Sequence, residues 1–132
     1  MNFPASLPVS IVRTAVAVLL FIHGASRAYK GEVAGFGGYL SGTGFPAGVA
    51  LAWAITAFEI GGAICLAAGR LVRFVAPVFI AILAVGIALV HGKNGWFVVG
   101  GGVNGAEYSV LLICCLAAVW IASLRPTRSW LD

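Results

Sequence analysis

Charged residues are scarce in this sequence. They make up only 9% of its 132 residues, whereas 61% of the residues are hydrophobic. A soluble domain carries about 45–50% apolar and about 25% charged residues. This chain therefore has too few polar side chains to cover a surface in water, and its composition predicts an integral membrane protein.

The sequence also lacks the polar–apolar alternation that a membrane β-barrel needs over many short strands. Its apolar runs are long and continuous, and lipid favours helices because they satisfy their backbone hydrogen bonds internally. We predict an all-α, integral membrane four-helix bundle that forms a single domain over residues 1–132. The predicted transmembrane spans lie at about residues 8–24, 46–68, 71–91 and 106–124.

Several catalytic and binding motifs are missing. The three cysteines (Cys65, Cys114 and Cys115) form no CxxC pair and no Cys/His spacing typical of zinc. Residues 100–105 match GxGxxG formally, but no strand precedes them, so a nucleotide site is not expected. The Lys and Arg residues flank apolar runs rather than forming a nucleic-acid patch, which favours membrane lipids as partners and excludes nucleic acid.

The basic residues predict an orientation. One predicted side of the bundle holds Arg70, Arg73, Arg125 and Arg128. The other side holds Arg27, Lys30 and Lys93. The positive-inside rule then places both termini on the cytoplasmic side. No Lys or Arg precedes the first apolar run, so we expect a retained helix rather than a signal peptide.

Two ionisable residues fall inside the spans at similar predicted depths. A charge at mid-bilayer costs about 2.5–3.5 kcal/mol, so such residues normally pair and face the bundle interior. At about 1.5 Å of rise per residue, Arg13 and Glu59 reach the same level from opposite ends of their helices. We predict an Arg13–Glu59 ion pair. Its role stays open between fixing the first two spans together and taking part in function.

Three further ionisable residues lie near the predicted outer mouth. His23 ends the first span, His91 ends the third and Glu107 begins the fourth. Such a set could pass protons or contact a quinone, because histidine titrates near neutral pH. It could instead hold a metal or a haem, or the side chains could simply cap helix ends.

The loop between the first two predicted spans contains apolar residues at helix-like spacing: Val33, Phe36, Tyr39 and Leu40. The spacing favours a short helix in the membrane interface that places these side chains in lipid. The glycines in the same loop oppose a stable helix, so both outcomes stay open.

Taken together, these motifs resemble the DoxX-like family of small membrane proteins over essentially the whole chain. The similar features, in chain order, are Arg13, His23-Gly24, Lys30, Gly44-Phe45-Pro46, Glu59, Gly61-Gly62, Gly69-Arg70, Arg73, His91, Glu107 and the closing Ser129, Leu131 and Asp132. The resemblance implies a four-helix membrane bundle. Some DoxX-type proteins are subunits of thiosulfate:quinone oxidoreductases, others join complexes that handle thiol or superoxide stress, and distant relatives assist receptor assembly.

From the resemblance we expect a quinone-linked redox subunit of the bacterial inner membrane. The expected quinone-binding residues are Arg13, His23, Glu59 and His91, and the expected catalytic residues are His23, His91 and Glu107. We expect no metal and no flavin or haem site, so electrons would come from a protein partner. The missing CxxC argues against a dithiol mechanism. A non-catalytic scaffold or assembly factor is the alternative function, and a small transporter is a third possibility that would need a dimer. The expected partner is another membrane protein or a second copy of the chain.

Overall fold

The computed structural model describes residues 7–125, and this range is helical with no strand. The helices are α1 (Leu7–Tyr29), α2 (Val33–Gly42), α3 (Gly48–Ala67), α4 (Val72–Leu89) and α5 (Glu107–Leu124), with a short 3₁₀ helix at His91–Asn94. Four of them, α1, α3, α4 and α5, are long and apolar enough to cross a membrane. The predicted all-helical membrane fold with four spans is confirmed. The cytoplasmic placement of the termini stays a prediction.

The four long helices pack into one bundle. α1 packs against α3 and α5, and α4 packs against α5 and α3. Their shared core contains Val16, Leu20, Leu66, Phe79 and Leu116. Many large apolar side chains point outward instead, as expected where acyl chains replace water as the outer solvent.

Helix α1 continues to Tyr29, beyond the predicted end of the first span at residue 24. The predicted span ended at His23-Gly24, but Gly24 lies inside the helix. A Cβ atom at Gly24 would lie 2.8 Å from the Cβ of Glu59 in α3. Gly24 therefore allows the two helices to approach closely, as small residues do in membrane bundles.

The loop after α1 does contain the short helix, α2, but its apolar side chains do not all face lipid. Val33 and Leu40 are buried in a small cluster with Ala52 of α3. The glycines that opposed a helix are what bring it close: a Cβ at Gly37 would collide with the backbone of Val49. The short helix considered for the membrane interface therefore forms, but it packs on α3.

Helix α4 is packed unevenly along its length. Its buried residues, Val72, Val75, Ala76 and Phe79, all lie in its first half, next to the short turn from α3. The second half, from Ala81 to Leu89, lines a cavity. The core therefore fills one end of the bundle, and the other end holds an internal space.

The close approach at Gly24 gives a test of the fold. We expect Gly24→Ala to destabilise the protein by about 1–3 kcal/mol, because the added methyl group must displace Glu59 or α3. Gly61→Ala is the matched control, since a Cβ at Gly61 in α3 meets nothing within 4 Å. Thermal unfolding in detergent measures the difference, and equal unfolding temperatures for the two variants would contradict the packing described.

Candidate functional site

A cavity of about 620 Å³ lies in the half of the bundle that α2 covers. Its walls come from all five helices, and most lining side chains are apolar; they include Leu20, Leu40, Ile55, Leu83 and Leu112. A mostly apolar pocket of about 300–1,000 Å³ with a few polar groups is typical of small-molecule sites. The polar groups here are His23, Arg27, Tyr39, Glu59, His91, Asn104, Tyr108 and Ser109.

An ion pair between α1 and α3 forms part of the cavity wall. Arg27 Nη1 lies 2.6 Å from Glu59 Oε2, and the two side chains are only 14% and 6% exposed. Arg27 Nη1 also donates to Thr56 Oγ1 at 3.2 Å. The guanidinium carbon lies 4.5 Å from the centre of the Phe36 ring in α2, a cation–π contact. The pair thus joins three helices at one point.

The predicted Arg13–Glu59 ion pair is wrong. Arg13 lies beside Gly69, at the end of α3, where a Cβ on Gly69 would be 2.9 Å from Arg13 Nη1. Glu59 is ten residues before Gly69 in the sequence, so it lies about 15 Å away along the bundle. The depth estimate failed because the first span was ended too early, which left Arg27 in a loop and Arg13 as the only candidate partner.

A sequence signal for Arg27 does exist. Val16, Leu20 and Gly24 form a buried stripe on α1 at helical spacing, and Arg27 follows on the same face one turn later. A basic residue that extends a buried stripe indicates an internal partner. Glu59, the only acidic residue within α3, is that partner.

Both histidines of the predicted site line the cavity. His91 Nδ1 lies 3.0 Å from the carbonyl oxygen of Asn104. A carbonyl only accepts, so Nδ1 carries the proton in this bond, and Nε2 of the neutral ring is free to accept one. His23 is more exposed and contacts the cavity from α1. The structure therefore brings His23, His91 and Glu59 to one cavity.

A second, more polar cavity of about 400 Å³ adjoins the first. His23, Arg27, Tyr108 and Leu19 line both cavities, and Lys30 and Glu32 line the second one. Lys30 and Glu32 are exposed. The second cavity therefore leads from the ionisable wall of the first towards the surface at this end of the bundle.

Helix α2 covers the first cavity and is attached differently on its two sides. Towards α3, Gly37 and Gly48 bring the backbones into contact. Towards α4, the Tyr39 hydroxyl donates to the carbonyl oxygen of Leu89 at 3.0 Å. Helix α2 is thus closely packed against α3 and hydrogen-bonded to the end of α4.

The DoxX family model matches residues 9–92 of this sequence. The chain belongs to the DoxX family. Comparison with curated proteins and with solved structures gives no significant match. The matched range includes His23, Arg27, Glu59 and His91, four ionisable residues that line the first cavity. Helix α5 lies outside the matched range.

Glu107 of this DoxX chain does not line either cavity. Its Oε1 accepts hydrogen bonds from the backbone N–H groups of Val98 at 2.8 Å and Val99 at 3.4 Å. The carboxylate therefore holds the glycine-rich loop before α5. This arrangement corrects the expected grouping of Glu107 with the two histidines: its position favours a role in loop structure over proton exchange at the cavity.

A metal site built from these side chains is not present in the part of the DoxX chain that the structure describes. No group of three or more His, Cys, Asp or Glu residues between residues 7 and 125 could hold a metal ion. The ligand set of His23, His91 and Glu107 considered from the sequence does not assemble, because Glu107 is held by the loop.

A double-mutant cycle tests the ion pair. Arg27→Gln and Glu59→Gln should show a coupling energy of about 0.5–3 kcal/mol in unfolding experiments, because the two side chains are in contact. Arg13→Gln and Glu59→Gln should be additive within about 0.5 kcal/mol, because these residues are far apart. Strong coupling of Glu59 to Arg13, and none to Arg27, would contradict the observed pairing.

Proposed function

We propose that this DoxX membrane protein binds a quinone in its larger cavity and serves as the quinone-linked subunit of an oxidoreductase. The observation that carries the proposal is the combination of an apolar cavity of about 620 Å³ with two histidines and an arginine in its wall. A quinone combines a flat apolar ring with carbonyl oxygens that accept hydrogen bonds. The lining residues match both properties.

Hydrogen-bond donors stand at one end of the cavity. Arg27 contacts Glu59 and Thr56 through Nη1 alone. Because a guanidinium has five N–H donors, those on Nε and Nη2 remain for a ligand. His23 supplies a ring nitrogen from the same face of α1. These two side chains would bind the carbonyl oxygens, and the Glu59 carboxylate would balance the charge of Arg27 next to the apolar ring.

Proton movement needs a path from the cavity to water. A bound quinone would itself carry the electrons and protons. His91 can accept a proton on Nε2 while Asn104 holds Nδ1. His23 stands between the two cavities, so it is placed to exchange protons with the polar second cavity and the exposed Lys30 and Glu32.

The proposal includes a protein partner in the bacterial inner membrane. The cavity side chains can bind, orient and protonate a quinone, but electrons have to arrive from a partner oxidoreductase. A hetero-complex with an electron-donating protein would satisfy this requirement, whereas a homodimer would still need such a donor. Membership of the DoxX family supports the proposal. It does not identify the electron donor, because DoxX-type proteins have several different functions.

A cavity-filling variant tests the proposal directly. Gly86 lines the cavity, and a Cβ there would meet only His91 Cδ2, at 3.8 Å. Gly86→Phe should therefore fill the space and weaken binding of a short-chain ubiquinone or menaquinone at least about tenfold, a difference of about 1.4 kcal/mol. The measurement is titration calorimetry with purified protein in lipid nanodiscs.

The control for this experiment is Gly61→Phe, whose added ring projects from α3 where a Cβ meets nothing within 4 Å. It should bind quinone like the wild type. If the folded wild type binds neither quinone, or if Gly86→Phe binds as well as Gly61→Phe, the quinone proposal fails. Retained association with a membrane partner in that case would favour the scaffold alternative.

Substitution of the histidine tests the role of the polar wall. His23→Ala should weaken quinone binding about fivefold, because one hydrogen bond is worth about 1 kcal/mol. Val18→Ala, on an exposed part of α1 outside both cavities, is the matched control and should leave the dissociation constant unchanged. Equal affinities of the two variants would remove His23 from the proposed site.

A further inference from the structure

Arg13 is a half-buried cationic residue whose Nε atom is buried without a hydrogen-bond acceptor among the described residues. It forms no ion pair with any residue in the range 7–125. The guanidinium lies against Gly69, and Arg13 does not line the larger cavity. Buried charged groups in proteins are normally paired and hydrogen-bonded, because desolvation is costly.

Further basic residues lie at the same end of the bundle as Arg13. Arg70 follows Gly69 directly, and Arg73 lies on the first turn of α4. Trp120 Nε1 donates to the carbonyl oxygen of Arg73 at 3.1 Å, which brings the end of α5 and its Arg125 to the same end of the bundle.

No carboxylate in residues 7–125 is available to balance these charges. Glu59 is held by Arg27. Glu32 follows α1 and Glu107 begins α5, so both lie at the opposite end of the bundle.

The end of α3 offsets only part of this charge. Gly69 has a φ of +69°, and the N–H groups of Gly69 and Arg70 donate to the carbonyls of Leu66 and Cys65 at 3.1 and 2.8 Å. This is a Schellman cap, and it satisfies two of the terminal carbonyls without Arg13. The helix end still carries about half a negative charge, which suits a nearby cation. Residues 7–125 supply no full negative charge at this position.

We propose that Arg13, together with Arg70 and Arg73, forms a binding site for a phosphate group, carried either by the headgroup of an anionic lipid or by free phosphate. A guanidinium fits phosphate oxygens with two parallel hydrogen bonds, and its Nε–H is one of the donors in that geometry. Arg13 lies six residues after Leu7, so it is roughly 9 Å inside the helix end. The exposed Arg70 and Arg73 would complete the site from the surface.

The site is independent of the quinone cavity, because Arg13, Arg70 and Arg73 line neither cavity. The experiment measures thermal unfolding of detergent-solubilised protein in three parallel titrations. These use phosphatidylglycerol, phosphatidylcholine and inorganic phosphate. Native mass spectrometry of the same samples counts retained lipid. We expect phosphatidylglycerol or inorganic phosphate to raise the unfolding temperature of the wild type, and phosphatidylcholine to have little effect.

Arg13→Gln separates ligand binding from a structural role. Because the variant removes a charge that has no acidic partner in residues 7–125, we expect it to unfold in neutral detergent at the same temperature as the wild type or above it. Its affinity for the anion should fall about tenfold, as expected for a lost charge-assisted contact. Arg70→Gln with Arg73→Gln should weaken binding as well, while Lys93→Gln, an exposed basic residue at the opposite end, should not.

The outcomes are distinct. Stabilisation by phosphatidylglycerol alone assigns the site to lipid, and equal stabilisation by inorganic phosphate assigns it to a free anion. If Arg13→Gln does not fold, Arg13→Lys and the Arg70/Arg73 double variant provide the same comparison. The proposal is overturned if neither anion stabilises the wild type, or if the arginine variants respond to the anion as strongly as Lys93→Gln does.

Discussion

The contact between Arg27 and Glu59 is the interaction on which the rest of this molecule depends. Both side chains are almost fully buried, so each requires the other as its partner. Gly24 allows α1 and α3 to come close enough for the pair to form, and the Phe36 ring brings α2 to the same point. The register of three helices is therefore set by one carboxylate and one guanidinium.

The two ends of the bundle differ in packing and in charge. At one end, Leu66, Phe79 and Leu116 fill the core, and Arg13 stands among further arginines. At the other end, the second half of α4 borders an apolar cavity with histidines in its wall. This division places the apolar cavity and a group of basic residues at opposite ends of one small bundle, and these are the two sites proposed above for a quinone and for a phosphate group.

The sequence predicted the four spans because continuous apolar runs are a strong signal, and it indicated His23 and His91 because ionisable residues are rare in such runs. The pairing of Glu59 was missed because the first span was ended at Gly24, although a glycine within a membrane helix cannot be told from one that ends it. The same ambiguity left α2 undecided, since its glycines serve close packing. The position of Glu107 depended on how a long loop folds back, and no periodic pattern encodes that.

The uneven attachment of α2 has a consequence for how molecules reach the interior. On the α3 side the cover is joined through touching backbones, so opening there would disrupt a packed interface. On the α4 side, the Tyr39–Leu89 hydrogen bond contributes only about 1 kcal/mol. Separating α2 from α4 therefore breaks fewer contacts than separating it from α3. Of the two flanks of α2, the one beside α4 is the easier to open.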